Sequence, residues 1–177
     1  MKNFTTESFY RLQSCFNLVN DFEAKKLIDP SYSEVLNDEI EGALINVAKA
    51  YRYGNGVKRD YDNAIKYLND AINLGSGNAA KELGNIFECN DWHGKKSYRI
   101  DAEECYQLAI NLWKNEVANG SSKAAWELYC SIRGESQQEA KKWATIAIER
   151  AKKSGDHKRV IFMEDAIKTY EGYFLKK

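Results

Sequence analysis

Apolar residues recur three and four positions apart along most of the chain, the spacing that gathers side chains on one face of a helix. Tyr61, Ala64, Ile65, Leu68 and Ile72 form one such stripe, and Cys105, Leu108, Ala109, Leu112 and Trp113 form a second. Ala140, Trp143, Ala144, Ala147 and Ile148 make a third, and Met163, Ala166, Ile167, Tyr170 and Phe174 a fourth. No segment sustains the alternation of a half-buried strand. A single proline, Pro30, leaves little to interrupt the helices that follow it. The pattern predicts helices over about residues 5–28, 32–53, 60–74, 78–88, 101–118, 122–132, 136–153 and 157–174. Ser31 with Glu34 and Ser136 with Glu139 have capping-box spacing, and Gly75 and Gly120 stand where helices should stop. The joins are short, apart from the run from Cys89 to Arg99.

The chain also repeats itself. Ala43, Val47, Ala48 and Tyr51 match Ala79, Leu83, Gly84 and Phe87 at an offset of 36, and Ala124, Leu128 and Tyr129 recur after a further 45. The motif is a small residue, then an apolar one at +4, a small one at +5 and an aromatic at +8, all on one helical face. In the first unit it continues as Tyr53-Gly54-Asn55-Gly56-Val57, then Asp60, Asn63-Ala64, Tyr67, Ala71 and Gly75. In these residues the chain resembles the Sel-one-like repeat family, relatives of tetratricopeptide repeats, and Gly54-x-Gly56-Val57 followed by Asp60 is the specific part. The second unit departs at Asn90–Arg99, and the long helix after it does not align. The third keeps Glu139-Ala140 and Trp143, with its connecting turn shortened to Arg133-Gly134-Glu135.

The resemblance implies an all-α fold: an α-solenoid of antiparallel helix pairs, with about three degenerate repeats over residues 42–151. Residues 1–41 and 152–177 are then expected to cap a single helical-repeat domain spanning 1–177. Gly54 and Gly56 are read as a structural turn rather than a phosphate cradle, since no P-loop lysine and no strand accompany them.

Composition narrows the function. Twenty-six basic residues balance 26 acidic ones, which argues against a dedicated nucleic-acid binder. The charge is uneven all the same, with 4 basic and 8 acidic residues in 1–41. No segment is apolar enough for a membrane span, and Glu7 and Arg11 break the apolar stretch that a secretory signal would need. A cytoplasmic protein with reduced cysteines is the expectation.

Catalytic chemistry finds little support. Cys89 and His93 supply two metal-ligand types with no second pair at metal spacing, so no metal or other cofactor is expected. There is no GxSxG elbow and no HExxH, and the adjacent Glu103 and Glu104 face different directions on a helix. Some cysteine-rich members of the resembled family are linked to penicillin hydrolysis. This chain lacks their regular cysteine pairs, so that activity is not expected of it. The basic residues near the C-terminus, Lys141, Lys142, Lys152, Lys153, Lys158 and Arg159, read as a solvated helical surface.

The resemblance implies instead a protein-binding module whose first helices line a groove. Groove positions fall at +2, +6, +9 and +10 from each leading alanine. They select Lys49, Arg52 and Tyr53, with Ile45; Lys81 and Asn85, with Glu88 and Cys89; and Trp126 and Arg133, with Cys130 and Gly134. Four basic residues against Glu88 predict an acidic partner segment, and Tyr53 and Trp126 are the aromatic anchors. The expected role is a bacterial immunity or antitoxin-like protein sequestering one partner such as a toxin domain, with a regulatory or assembly adaptor as the alternative.

Overall fold

The computed structural model describes residues 6–28, 38–89 and 98–174. Its elements are α1 (Thr6–Ile28), α2 (Asp38–Tyr53), α3 (Tyr61–Asn73), α4 (Gly77–Glu88), α5 (Tyr98–Ala118), α6 (Ser122–Ile132), α7 (Gln137–Lys153) and α8 (His157–Phe174). Every described element is a helix, and each answers to one read from the apolar periodicity. Helix α5 starts earlier than expected, at Tyr98. Residues 32–37, and with them the Ser31–Glu34 capping box, lie outside the described residues, as does His93.

The chain divides into two compact units, residues 1–109 and 110–177, with the division inside α5. In the first, α2 packs on α1, α3 and α4 around a core that includes Val19, Leu44, Val47, Leu68 and Ile86, all at most 1% exposed. In the second, α7 packs against both α6 and α8, and Trp113, Leu128 and Met163 are equally enclosed.

Each second helix that leads to a new first helix does so through the same corner. Helix α3 ends with Gly75 at φ +97, where Gly75 N donates to the carbonyl of Ile72 and Ser76 N to that of Ala71. This is a Schellman closure, and only glycine adopts that backbone without strain. Ser76 then caps α4, its hydroxyl accepting from Ala79 N at 3.0 Å. Gly120 with Ser121 repeats the arrangement before α6, where Ser121 accepts from Ala124 N at 3.1 Å. Gly155 with Asp156 repeats it before α8, with Asp156 accepting from Arg159 N at 3.1 Å. One residue thus finishes one helix and starts the next. Helix α8 enters as a first helix does, although its motif positions hold Arg159 and Glu164 in place of small residues.

The other corner of the first repeat explains the motif that carried the resemblance. Gly54 and Gly56 sit at φ +69 and +77, which lets the chain reverse so that Asp60 N donates to Tyr51 O at 2.9 Å. The Asp60 carboxylate then caps α3, accepting from Asn63 N at 3.0 Å and from the Asn63 side-chain amide at 2.9 Å. The cap lowers the pKa of Asp60, because the backbone donor favours the charged carboxylate. Ser136 plays the same capping role at the third repeat's shortened turn, accepting from Glu139 N at 3.4 Å.

Burial supplies the register that the sequence of α5 left open. Ala64 and Ala71 of α3, Ala102 and Ala109 of α5, and Ala140 and Ala147 of α7 are all buried. Four positions after the first of each pair stand Leu68, Tyr106 and Ala144, and the +5 residues of the preceding first helices are Ala48, Gly84 and Tyr129. Ala48 and Leu68 line one small space in the first core. The ring of Tyr106 lies on Gly84, where an added β-carbon would stand 2.6 Å from it. In the third pair the sizes are exchanged, and Tyr129 packs against Ala140 and Ala144.

The glycine turn is the simplest of these devices to test. Gly54→Val forces a β-branched residue into the left-handed region and is expected to destabilise the fold by about 1–3 kcal/mol. The check is chemical denaturation. A variant as stable as wild type would contradict the assignment of this turn to the scaffold.

Candidate functional site

In the first unit the groove positions of α2 and α4 come together as an ion-pair network. Lys49 Nζ lies 2.8 Å from Glu82 Oε1, and Arg52 Nη1 lies 3.4 Å from Glu82 Oε2. Arg52 Nη2 donates to the carbonyl of Asn85 at 3.1 Å and reaches Cys89 Sγ at 3.3 Å. Arg52 is only 8% exposed, so its guanidinium straps α2 to the end of α4. Glu82, outside the positions selected by spacing, pairs with two of the four basic groups counted there and offsets one of their charges. Beside it Tyr106 donates its hydroxyl to Glu88 Oε2 at 2.8 Å, and the Asn85 side chain lies 3.0 Å from the same hydroxyl. Ile45 and Lys81 are half-buried. Tyr53, by contrast, is 57% exposed, with the Arg52 guanidinium 5.0 Å from its ring centre.

The second unit presents a different surface. Trp126 is half-buried, its ring 4.7 Å from Tyr129 and 6.0 Å from Phe162 of α8. Phe162 and its neighbour Ile161 are 62% and 68% exposed. Phe162 meets the tryptophan edge-on, and with Ile161 next to it in the chain two large apolar side chains stand open on α8, more than a solvated helix face needs. Spacing from leading alanines missed them because α8 has no alanine at that position. The signal was present in the corners: Ile161 follows Asp156 by the interval at which Trp126 follows Ser121 and Lys81 follows Ser76.

Arg133, another of the predicted groove residues, caps α6 and packs against Tyr129 and Tyr170. Its guanidinium carbon lies 4.6 Å from the ring centre of Tyr170 and 5.8 Å from that of Tyr129, while the Tyr170 hydroxyl donates to Arg133 O at 3.1 Å. The three residues close one end of a cleft of about 630 Å³ between α7 and α8. Ala140, Ala144, Ile148 and Ile167 supply its apolar lining, and Lys141 and Glu171 pair across it at 3.4 Å. The Trp143 indole nitrogen, in the adjoining core, is buried without a hydrogen-bond partner among the described residues. Cys130 is half-buried and Gly134 exposed.

Among the described residues no group of three or more His, Cys, Asp or Glu side chains is placed to hold a metal ion. All four thiols are free, with Cys105 buried and Cys89 exposed, and burial pushes the Cys105 thiol above its ordinary pKa. No described helix is long and apolar enough to cross a membrane.

No family model matches the chain, and no curated protein does. Among solved structures it is similar to the crystal structure of a Sel1 repeat protein from Oxalobacter formigenes, with a TM-score of 0.42 and 19% identity over 62% of this chain and 43% of that one. It is also similar to a protective antigen present in uropathogenic Escherichia coli strains displaying an SLR fold, with a TM-score of 0.42 and 18% identity over 78% of this chain and 31% of that one. The chain spans less than half the length of either structure.

Burial raises the pKa of Tyr67 and Tyr129, and burial together with the bond to Glu88 raises that of Tyr106 further. A phenol held above its unfolded value of about 10 contributes stability that is complete below that pH and is lost as pH rises through the folded value. Thermal midpoints are therefore expected to decline above about pH 10, and Tyr106→Phe should make the decline shallower. An identical decline in the variant would remove Tyr106 as a contributor.

Proposed function

We propose that the chain is a non-catalytic protein-binding module that holds one dedicated partner. The observation that carries this reading is the exposed pair Ile161 and Phe162 beside Trp126, an aromatic and aliphatic patch on the first-helix face of the second unit. Tryptophan and other aromatic anchors surrounded by apolar neighbours are the residue types that dominate binding energy at protein interfaces. In the first unit, Tyr53 offers a comparable anchor above the Lys49, Arg52, Lys81 and Asn85 face, with the ion pairs beneath holding that face rigid. Preorganised surfaces lose less entropy on binding.

Sequestration of an immunity or antitoxin type, with one partner such as a toxin domain held on these surfaces, is the first form of this reading. A regulatory or assembly adaptor would use the same surface with several partners. Co-purification from the native host separates these two readings, since sequestration yields one protein in near-equal amount and an adaptor yields several.

The patch itself is tested by Phe162→Ala and Ile161→Asp. Both side chains are exposed, so stability should change by no more than about 0.5 kcal/mol. Affinity for the co-purified partner, measured by calorimetry, should fall by about 2 kcal/mol or roughly 30-fold for Phe162→Ala. Folded variants that bind as tightly as wild type would exclude this patch from the interface.

A further inference from the structure

We infer that the cleft between α7 and α8 docks an acidic, apolar segment of the partner protein, with one carboxylate on Arg133 and a bulky side chain against Ala144, Ile148 and Ile167. The inference rests on the protein-binding reading and adds a second contact with its own chemistry.

Three observations converge on this occupant. Arg133 is half-buried, and the groups around its guanidinium are the rings of Tyr129 and Tyr170 and the Tyr129 hydroxyl, with no carboxylate among them. The other basic groove residues with defined partners, Lys49 and Arg52, are already paired with Glu82, and Lys141 at the cleft rim is paired with Glu171. Arg133 therefore brings to the cleft a positive charge that no carboxylate among the described residues offsets. A guanidinium held over aromatic faces directs its N–H donors in its own plane, the geometry that meets a carboxylate in a two-point contact.

The lining then limits what accompanies the charge. About 630 Å³ bounded by two alanines and two isoleucines is within the usual range of ligand sites and accepts bulky apolar groups. Lys141 and Glu171 offset each other at the rim, so Arg133 leaves the lining with a single net positive charge. That charge matches one carboxylate next to apolar side chains better than a doubly charged phosphate or a nucleic-acid strand. Such a site reads a glutamate or aspartate flanked by leucine-like residues.

The test uses the full chain, isotope-labelled, and three hexapeptides with blocked ends. One holds a glutamate between leucines, and the others replace that glutamate with glutamine or lysine. Saturable shifts of the Arg133, Ala144 and Ile167 amides are expected with the glutamate peptide, with affinity at least tenfold above that for the glutamine and lysine peptides. Arg133→Gln should abolish the preference, Arg133→Lys should keep part of it, and Phe162→Ala should leave it unchanged. Equal binding of the three peptides, shifts elsewhere on the surface, or no shift at millimolar peptide would overturn the assignment. Loss of partner capture in Phe162→Ala, with no peptide preference at Arg133, would overturn the cleft alone and leave the binding module standing.

Discussion

A β-carbon at Gly84 would stand 2.6 Å from the ring of Tyr106, closer than packed atoms tolerate, and this exclusion states the rule that the helix pairs obey. Where a first helix meets its second helix, the volume available at the crossing is shared between two side chains. Ala48 meets Leu68, Gly84 meets Tyr106, and Tyr129 meets Ala144. Interiors pack at crystal density, so a large residue on one side requires a small one on the other. The repeat motif is one way of meeting that constraint, and the third pair meets it in reverse. Its departure from the motif at Tyr129 is therefore compensated rather than degenerate.

Much of this was legible in the sequence because local chemistry fixes local structure. Periodicity located the helices, and Gly54, Gly56 and Asp60 specified a turn whose glycines need positive φ and whose aspartate caps α3. The register of α5 was not legible. The repeat pattern breaks off at Asn90–Arg99, and only burial of Ala102 and Ala109 restores it. The recurring glycine followed by Ser76, Ser121 or Asp156 could have been read as a corner, and it would have placed α8 among the first helices.

The candidate surface was legible in position and less so in charge. Spacing brought Lys49, Arg52 and Asn85 to one face, as the structure does, but a residue count along selected positions omits the acidic neighbour that pairs with the two cations. Glu82 sits one position beyond Lys81 and pairs with both Lys49 and Arg52, leaving the cluster with one net positive charge. The Arg52–Glu82 pair is largely enclosed and is structural, because removing one partner strands the other charge, whereas the Lys49 side chain is 42% exposed. The proposed binding function draws on what the fold does not consume: the apolar side chains around Phe162, the ring of Tyr53, and the Arg133 guanidinium beside two tyrosines.

The most direct test of the shared-volume account is a double-mutant cycle at the third pair, read by chemical denaturation. Tyr129→Ala should cost about 3–5 kcal/mol through the cavity it leaves, and Ala144→Leu about 1–3 kcal/mol through overpacking. Combined, they recreate the sizes of the first pair, Ala48 with Leu68. The double variant should be more stable than the sum of the two losses predicts by at least about 1 kcal/mol. Losses that add to within about 0.5 kcal/mol would show that the two side chains do not share one space, and would contradict the account.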